Sequence, residues 1–153
     1  MKKAADAFLR FWDSSAVLPL VFDEKFSVTI ADLLREDAEV AVWWGTRAEC
    51  AVAIRRLKRR GGLDERSEES ARDVLDVFAE TWIEMRPTDD LRLLATLLSK
   101  YHPLRTADCF QFAAALKWCE GDVGGSCFVC LDDRLRKAAQ DEGFVVLPES
   151  LET

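Results

Sequence analysis

The feature that most constrains this chain is a set of short apolar runs that do not alternate. Val40-Ala41-Val42-Trp43-Trp44, Cys127-Phe128-Val129-Cys130-Leu131 and Phe144-Val145-Val146-Leu147 contain no charged residue. A strand with one face in water alternates apolar and polar residues, whereas a strand covered on both faces reads as a continuous apolar run. Phe8 to Trp12, broken only by Arg10, is a fourth such run, and Ile83 to Arg86, stopped by Pro87, is a short fifth.

Helical segments separate these runs. Thr29 to Leu34 reads as a turn or two of helix. Gly45-Thr46 opens a helix that continues to about Arg60 and stops at Gly61-Gly62. Ser67-Glu68-Glu69 caps the next, with Val74, Leu75, Val77, Phe78 and Trp82 at helical spacing. Thr88-Asp89-Asp90 caps a helix with Leu91, Leu94, Ala95 and Leu98 on one face; Thr106 opens another through Leu116, and Asp133 to Asp141 forms the last. Strands alternating with helices predict an open parallel α/β sheet with right-handed crossovers. The 153 residues, 49% of them hydrophobic, fit one domain spanning 1–153, large enough to hold together without a disulfide or a structural metal.

In such sheets ligands bind outside the carboxyl ends of the strands. Asp13 follows the Phe8–Trp12 run, Glu49 lies in the first turn after the Val40–Trp44 run, Asp108 in the first turn of the helix opened by Thr106, and Asp132 follows the Cys127–Leu131 run. Each acid has a bland explanation, because a carboxylate in a first helical turn gains roughly 0.3–1 kcal/mol from the helix dipole. Thr46 and Glu49 have the spacing of a capping box, and Asp13 and Asp132 read as N-caps. Together the four weigh differently. Converging carboxylates repel, and a fold gains by gathering them only around a cation. Oxygen ligands from several elements suit Mg²⁺ or Mn²⁺ bound together with phosphate, and the chemistry that follows is metal-assisted phosphodiester hydrolysis.

Other chemistries lack their motifs. No G-x-x-x-x-G-K-[ST], G-x-G-x-x-G or G-x-S-x-G occurs. His102 is the only histidine; it precedes Pro103 and reads as a solvated loop residue. The five cysteines are scattered and read as thiols in a reducing cytoplasm. Cys127 and Cys130 match C-x-x-C, but residues three apart on a strand point to opposite faces, and no second pair completes a metal site. Met1 to Asp6 lacks the apolar segment of a secretory signal, and no apolar run approaches the ~18–20 residues of a membrane span.

The chain is acidic, with 21 Lys and Arg against 28 Asp and Glu, which argues against a purely electrostatic nucleic-acid binder. Against that background Arg55, Arg56, Lys58, Arg59 and Arg60 stand out. A solvated helix face accounts for them, and so does contact with an RNA backbone. Helical spacing puts Arg56, Arg59 and Arg60 together, on roughly the side of Glu49. Phe22, Phe26 and the helix from Val74 to Trp82 offer an apolar groove suited to a partner helix.

Four segments resemble, in order, the motifs of PIN domains. They are Phe11-Trp12-Asp13-Ser14-Ser15-Ala16, Thr46-Arg47-Ala48-Glu49, His102 to Asp108 followed by Gln111 to Leu116, and Phe128-Val129-Cys130-Leu131-Asp132 with Leu135 and Ala138-Ala139. The nearest subgroup by length and motif is the VapC-like toxins of toxin–antitoxin pairs. The resemblance implies a three-layer α/β/α fold around a parallel sheet of about five strands. It implies a Mg²⁺- or Mn²⁺-dependent endoribonuclease, often a homodimer, held in check by a small antitoxin. Asp13 and Asp108 would be direct metal ligands, and Glu49 and Asp132 would act directly or through water. Ser14 and Thr106 would support the acids by hydrogen bonding. The chain departs from the pattern at Cys130, where many relatives carry Thr or Ser, at the doubled Asp132-Asp133, and at the bulky Trp12. Two other functions fit the same residues: a non-catalytic module that binds RNA or protein, and a metal-dependent phosphatase acting on small substrates.

Overall fold

The computed structural model describes residues 10–152. Twelve elements follow one another in it. They are β1 (Arg10–Trp12), α1 (Ser14–Val21), α2 (Ser27–Glu36), β2 (Ala41–Trp43), α3 (Thr46–Arg59), α4 (Glu65–Ala79), β3 (Ile83–Met85), α5 (Asp89–Tyr101), α6 (Thr106–Trp118), β4 (Cys127–Val129), α7 (Asp133–Asp141) and β5 (Val145–Leu147). All five apolar runs contain a strand; Phe8 and Leu9 of the first lie outside the described residues. The strands pair in parallel in the order β3-β2-β1-β4-β5. The three-layer α/β/α arrangement with five parallel strands agrees with the expected fold class.

The continuous runs are explained by two cores. Side chains alternate along a strand, so Phe11, Ala41, Phe128 and Val146 face one side of the sheet and Trp12, Val42 and Val129 the other. The first set packs on α5, α6 and α7 through Leu91, Phe112 and Leu135. The second packs on α1, α2, α3 and α4 through Val17, Ile30, Ile54 and Leu75. Both faces are covered over the central strands β2, β1 and β4, while Ile83 and Val145 on the edge strands are exposed.

Several local features differ from expectation. α4 begins earlier, because Asp64 rather than Ser67 is its cap and accepts from the Ser67 amide at 2.8 Å. Trp82 lies beyond its end and packs edge-on against Phe78. His102 is buried rather than solvated. Its Nε2 lies 2.9 Å from Glu142 and its ring meets Phe112 edge-on, tying the end of α5 to the end of α7. All five cysteines are buried. No helix among the described residues is long and apolar enough to cross a membrane.

Candidate active site at the sheet switch point

From β1 the chain proceeds outward through β2 to β3, then returns to the other side of β1 for β4 and β5. The carboxyl ends of β1 and β4 are therefore adjacent at the point where the winding reverses, which is where open α/β sheets bind ligands. Asp13 leaves the end of β1, and its amide extends the ladder to the Val129 carbonyl at 2.9 Å. Asp132 stands three residues beyond the end of β4. A cleft of about 530 Å³ opens there, and Asp13, Glu49, Asp108 and Asp132 all line it, together with Ser14, Ser15 and Arg56.

Asp13 is 3% exposed. One of its oxygens, Oδ2, caps α1 by accepting from the Ser15 amide and hydroxyl. The other, Oδ1, is buried without a partner among the described residues. Burial pushes the Asp13 carboxyl up to about 6, against the Ser15 hydrogen bonds, with smaller contributions from the charges of Glu49 and Asp108. The Ser15 hydroxyl also accepts from the Leu131 amide at 2.9 Å, fastening the Asp13 turn to the segment that carries Asp132. The Cys130 thiol lies 3.7 Å from Asp13 Oδ2, and burial raises it strongly.

Glu49 does not close a capping box. Gly45 is the N-cap of α3 and makes no side-chain cap bond. Thr46 is buried, and its hydroxyl accepts from Gln111 Nε2 at 2.9 Å. The Glu49 carboxylate instead accepts from Ser14 Oγ at 2.8 Å and from Gln111 Nε2 at 3.2 Å. Burial raises Glu49 above the usual carboxylate range, partly offset by those two donors. Burial also raises Asp108, and Asp132 adds to the rise while Arg105 and Arg134 oppose it. Asp132 caps α7 by accepting from the Leu135 amide at 2.9 Å.

Ser14 thus contacts an acid of the cleft. Thr106 does not: it is exposed and lines a separate cleft with Thr96, Ser99 and Phe110. Its place as a polar support is taken by Gln111, further along α6, and by Ser15. Nothing in a single sequence marks a glutamine in the apolar run Phe110 to Leu116 as a partner of Glu49. A buried amide does, however, demand partners wherever it lies. The basic run on α3 is divided. Arg56 lines the cleft, Lys58 pairs with Glu68 of α4 at 3.0 Å, and Arg55, Arg59 and Arg60 are exposed.

Oxygen-only donors and an orphaned buried carboxylate oxygen fit a hard divalent cation. Among the described residues, no three acidic, histidine or cysteine side chains close into a ready-made cage. Like charges with nothing between them keep apart, and here hydroxyl and amide donors hold Asp13 and Glu49.

No protein-family model and no curated protein matches this chain. Solved structures do. FitAcB from Neisseria gonorrhoeae is 13% identical with a TM-score of 0.64, over 92% of this chain and 98% of that one. VapBC2 from Rickettsia felis, solved bound to a DNA fragment from their promoter, is 11% identical with a TM-score of 0.61, over 90% of this chain and 96% of that one. PAE2754 from Pyrobaculum aerophilum is 18% identical with a TM-score of 0.61, over 93% of this chain and 85% of that one. At these identities the likeness is one of fold.

Proposed function

We propose that this PIN-fold chain is a Mg²⁺- or Mn²⁺-dependent endoribonuclease, the toxin of a toxin–antitoxin pair. The observation that carries the reading is the gathering of Asp13, Glu49, Asp108 and Asp132 in one cleft at the sheet's switch point. The fold shared with VapBC2 and FitAcB, both of the toxin–antitoxin class, supports the second half of the reading.

Asp13 and Asp108 would hold the ion, with Glu49 and Asp132 completing its surroundings directly or through water. When bound, the ion supplies charge neutralisation at the phosphate and acidifies water. Glu49 is the base. Its Oε2 is fixed by Ser14 and Gln111, which orients the carboxylate, and burial brings its proton affinity closer to neutrality. As water attacks, its oxygen forms the new bond to phosphorus, its proton passes to Glu49, and the bond from phosphorus to the leaving ribose oxygen breaks, that oxygen taking a proton from solvent. Arg56, at the cleft wall, neutralises a phosphate of the bound strand.

A small antitoxin would lay an apolar helix along α4, where Val74 and Val77 are exposed beside the half-buried Phe78. The chain would also pair with a second copy through α5, which carries exposed Leu93, Leu97 and Tyr101 at i, i+4 and i+8. A second reading, a non-catalytic binding module, draws on the lack of a ready-made cage among the described residues.

Incubation of unstructured RNA with the chain and Mg²⁺ or Mn²⁺ tests the reading. Internal cleavage by the wild type, lost in Asp13→Asn and Asp108→Asn with circular dichroism unchanged, is the expected result. RNA that is bound and left intact at every metal concentration would favour the binding module.

A further inference from the structure

The cleft at the acids does not end at them. A neighbouring cleft of about 500 Å³ shares Ala107, Asp108 and Asp132 with it and adds Arg105, Asp133 and Arg134. The two form one trench. Arg56 of α3 lines the first cleft with Asp13 and Glu49, Asp108 and Asp132 lie where the two clefts meet, and Arg105 and Arg134 line the second, at the start of α6 and α7.

These three arginines are the basic side chains that line the two clefts. Arg47, Lys58, Arg92 and Lys137 are each tied to an acid. Arg56, Arg105 and Arg134 make no ion pair or side-chain hydrogen bond among the described residues. Arg105 and Arg134 act on Asp108 electrostatically without closing to ion-pair distance. Their guanidinium donors are therefore uncommitted, and a planar fork of N–H groups is suited to phosphate. Asp133 lines that cleft as well, so the two arginines stand beside three carboxylates, of which Asp108 and Asp132 belong to the acid cluster.

We propose that Arg105 and Arg134 form a phosphate subsite across the acids from Arg56, so that the trench takes an RNA strand with phosphates on both sides of the one cleaved. This rests on the ribonuclease reading and narrows it. The substrate is a continuous single strand gripped upstream and downstream of the cut, rather than a nucleotide end. Each cleft neutralises a different flanking phosphate, and both orient the scissile one over the acids.

The test uses the full chain with Mg²⁺ and a single-stranded RNA cut at one position. Versions of that RNA carry one uncharged methylphosphonate linkage on either side of the cut. The Arg105→Ala/Arg134→Ala double variant should raise KM about tenfold or more, the size expected for lost charge-assisted contacts, and flatten its salt dependence. Its defect should vanish on the RNA neutralised on one side only, and that of Arg56→Ala on the RNA neutralised on the other. An unchanged KM in the double variant, or both defects tracking the same linkage, would overturn the subsite. Binding of the same RNAs to Asp13→Asn separates the two readings. Affinity lost on removing Arg105 and Arg134, with no cleavage by wild type, would keep the subsite and overturn the ribonuclease reading.

Discussion

Asp13 shows how one residue serves fold and site together. Its Oδ2 caps α1, which is the bland function that its position before Ser14-Ser15 suggests. Its Oδ1 is left buried and unpaired, which capping does not explain. The cost is visible in its proton affinity. The folded carboxyl titrates at about 6, against 3.8 for the free group. Between those values the folded state holds a proton that the unfolded chain has lost, so this group's contribution to stability falls as pH rises through that window. A carboxyl so raised destabilises the metal-free fold at neutral pH by about 3 kcal/mol. Asp13→Asn should therefore raise the metal-free stability by about 1–3 kcal/mol at pH 7.5 and by much less at pH 4, read by urea unfolding at both pH values. Mg²⁺ or Mn²⁺ should raise the wild-type Tm at pH 7.5, less so below pH 6 where protons compete, and should leave the variant unmoved. A variant no more stable than wild type at pH 7.5 would remove the claim that a buried charge strains this site.

At the scale of elements, the turn from β2 into α3 places Glu49. Trp43 folds back over it and stacks on Phe110 of α6 at 5.4 Å between ring centres. The indole nitrogen then lies 2.5 Å from where a Cβ of residue 45 would be, so only glycine fits between β2 and α3. Gly45→Ala should displace a buried aromatic ring and cost about 1–3 kcal/mol, with a changed near-ultraviolet circular dichroism signal and reduced cleavage as Glu49 shifts with the start of α3. What sequence could and could not supply follows from the same contrast. Strands buried on two faces announce themselves locally, because nearly every side chain in Val40 to Trp44 must be apolar, and the acids' place at strand ends follows from topology. The partner of Glu49 is not local. Thr46 and Glu49 have the spacing of a capping box, but Gln111, 62 residues beyond Glu49 in the chain, takes both. His102 is a similar case: before a proline it reads as solvated, yet it is buried and meets Glu142, 40 residues on. Local rules mark where polar groups stand, and tertiary packing decides what they touch.

For the whole molecule, the sheet fixes the edge at which the four acids gather and leaves apolar side chains of the outer helices exposed. α5 covers the sheet with Leu91, Ala95 and Leu98 and turns Leu93, Leu97 and Tyr101 to solvent. Apolar side chains in such a row on an exposed helix call for a cover. The flanking charges say which cover fits. Asp89 and Asp90 open the helix and Lys100 stands in its last turn. In an antiparallel pairing of two α5 helices about the level of Ala95, Leu93 would stand level with the partner's Leu97 and Asp90 level with the partner's Lys100. A two-fold axis there would satisfy apolar and charged positions in a single register, as a self-complementary interface requires. Charge reversal tests that register. Asp90→Lys alone and Lys100→Asp alone each set like charges opposite one another and should weaken dimerisation about tenfold or more in sedimentation equilibrium, while the two together should restore it. Leu97→Glu should give a monomer at every accessible concentration. A wild-type chain that sediments as a monomer at millimolar protein would leave the α5 face to another partner, and dimers indifferent to both reversals would place the two-fold axis elsewhere on the surface.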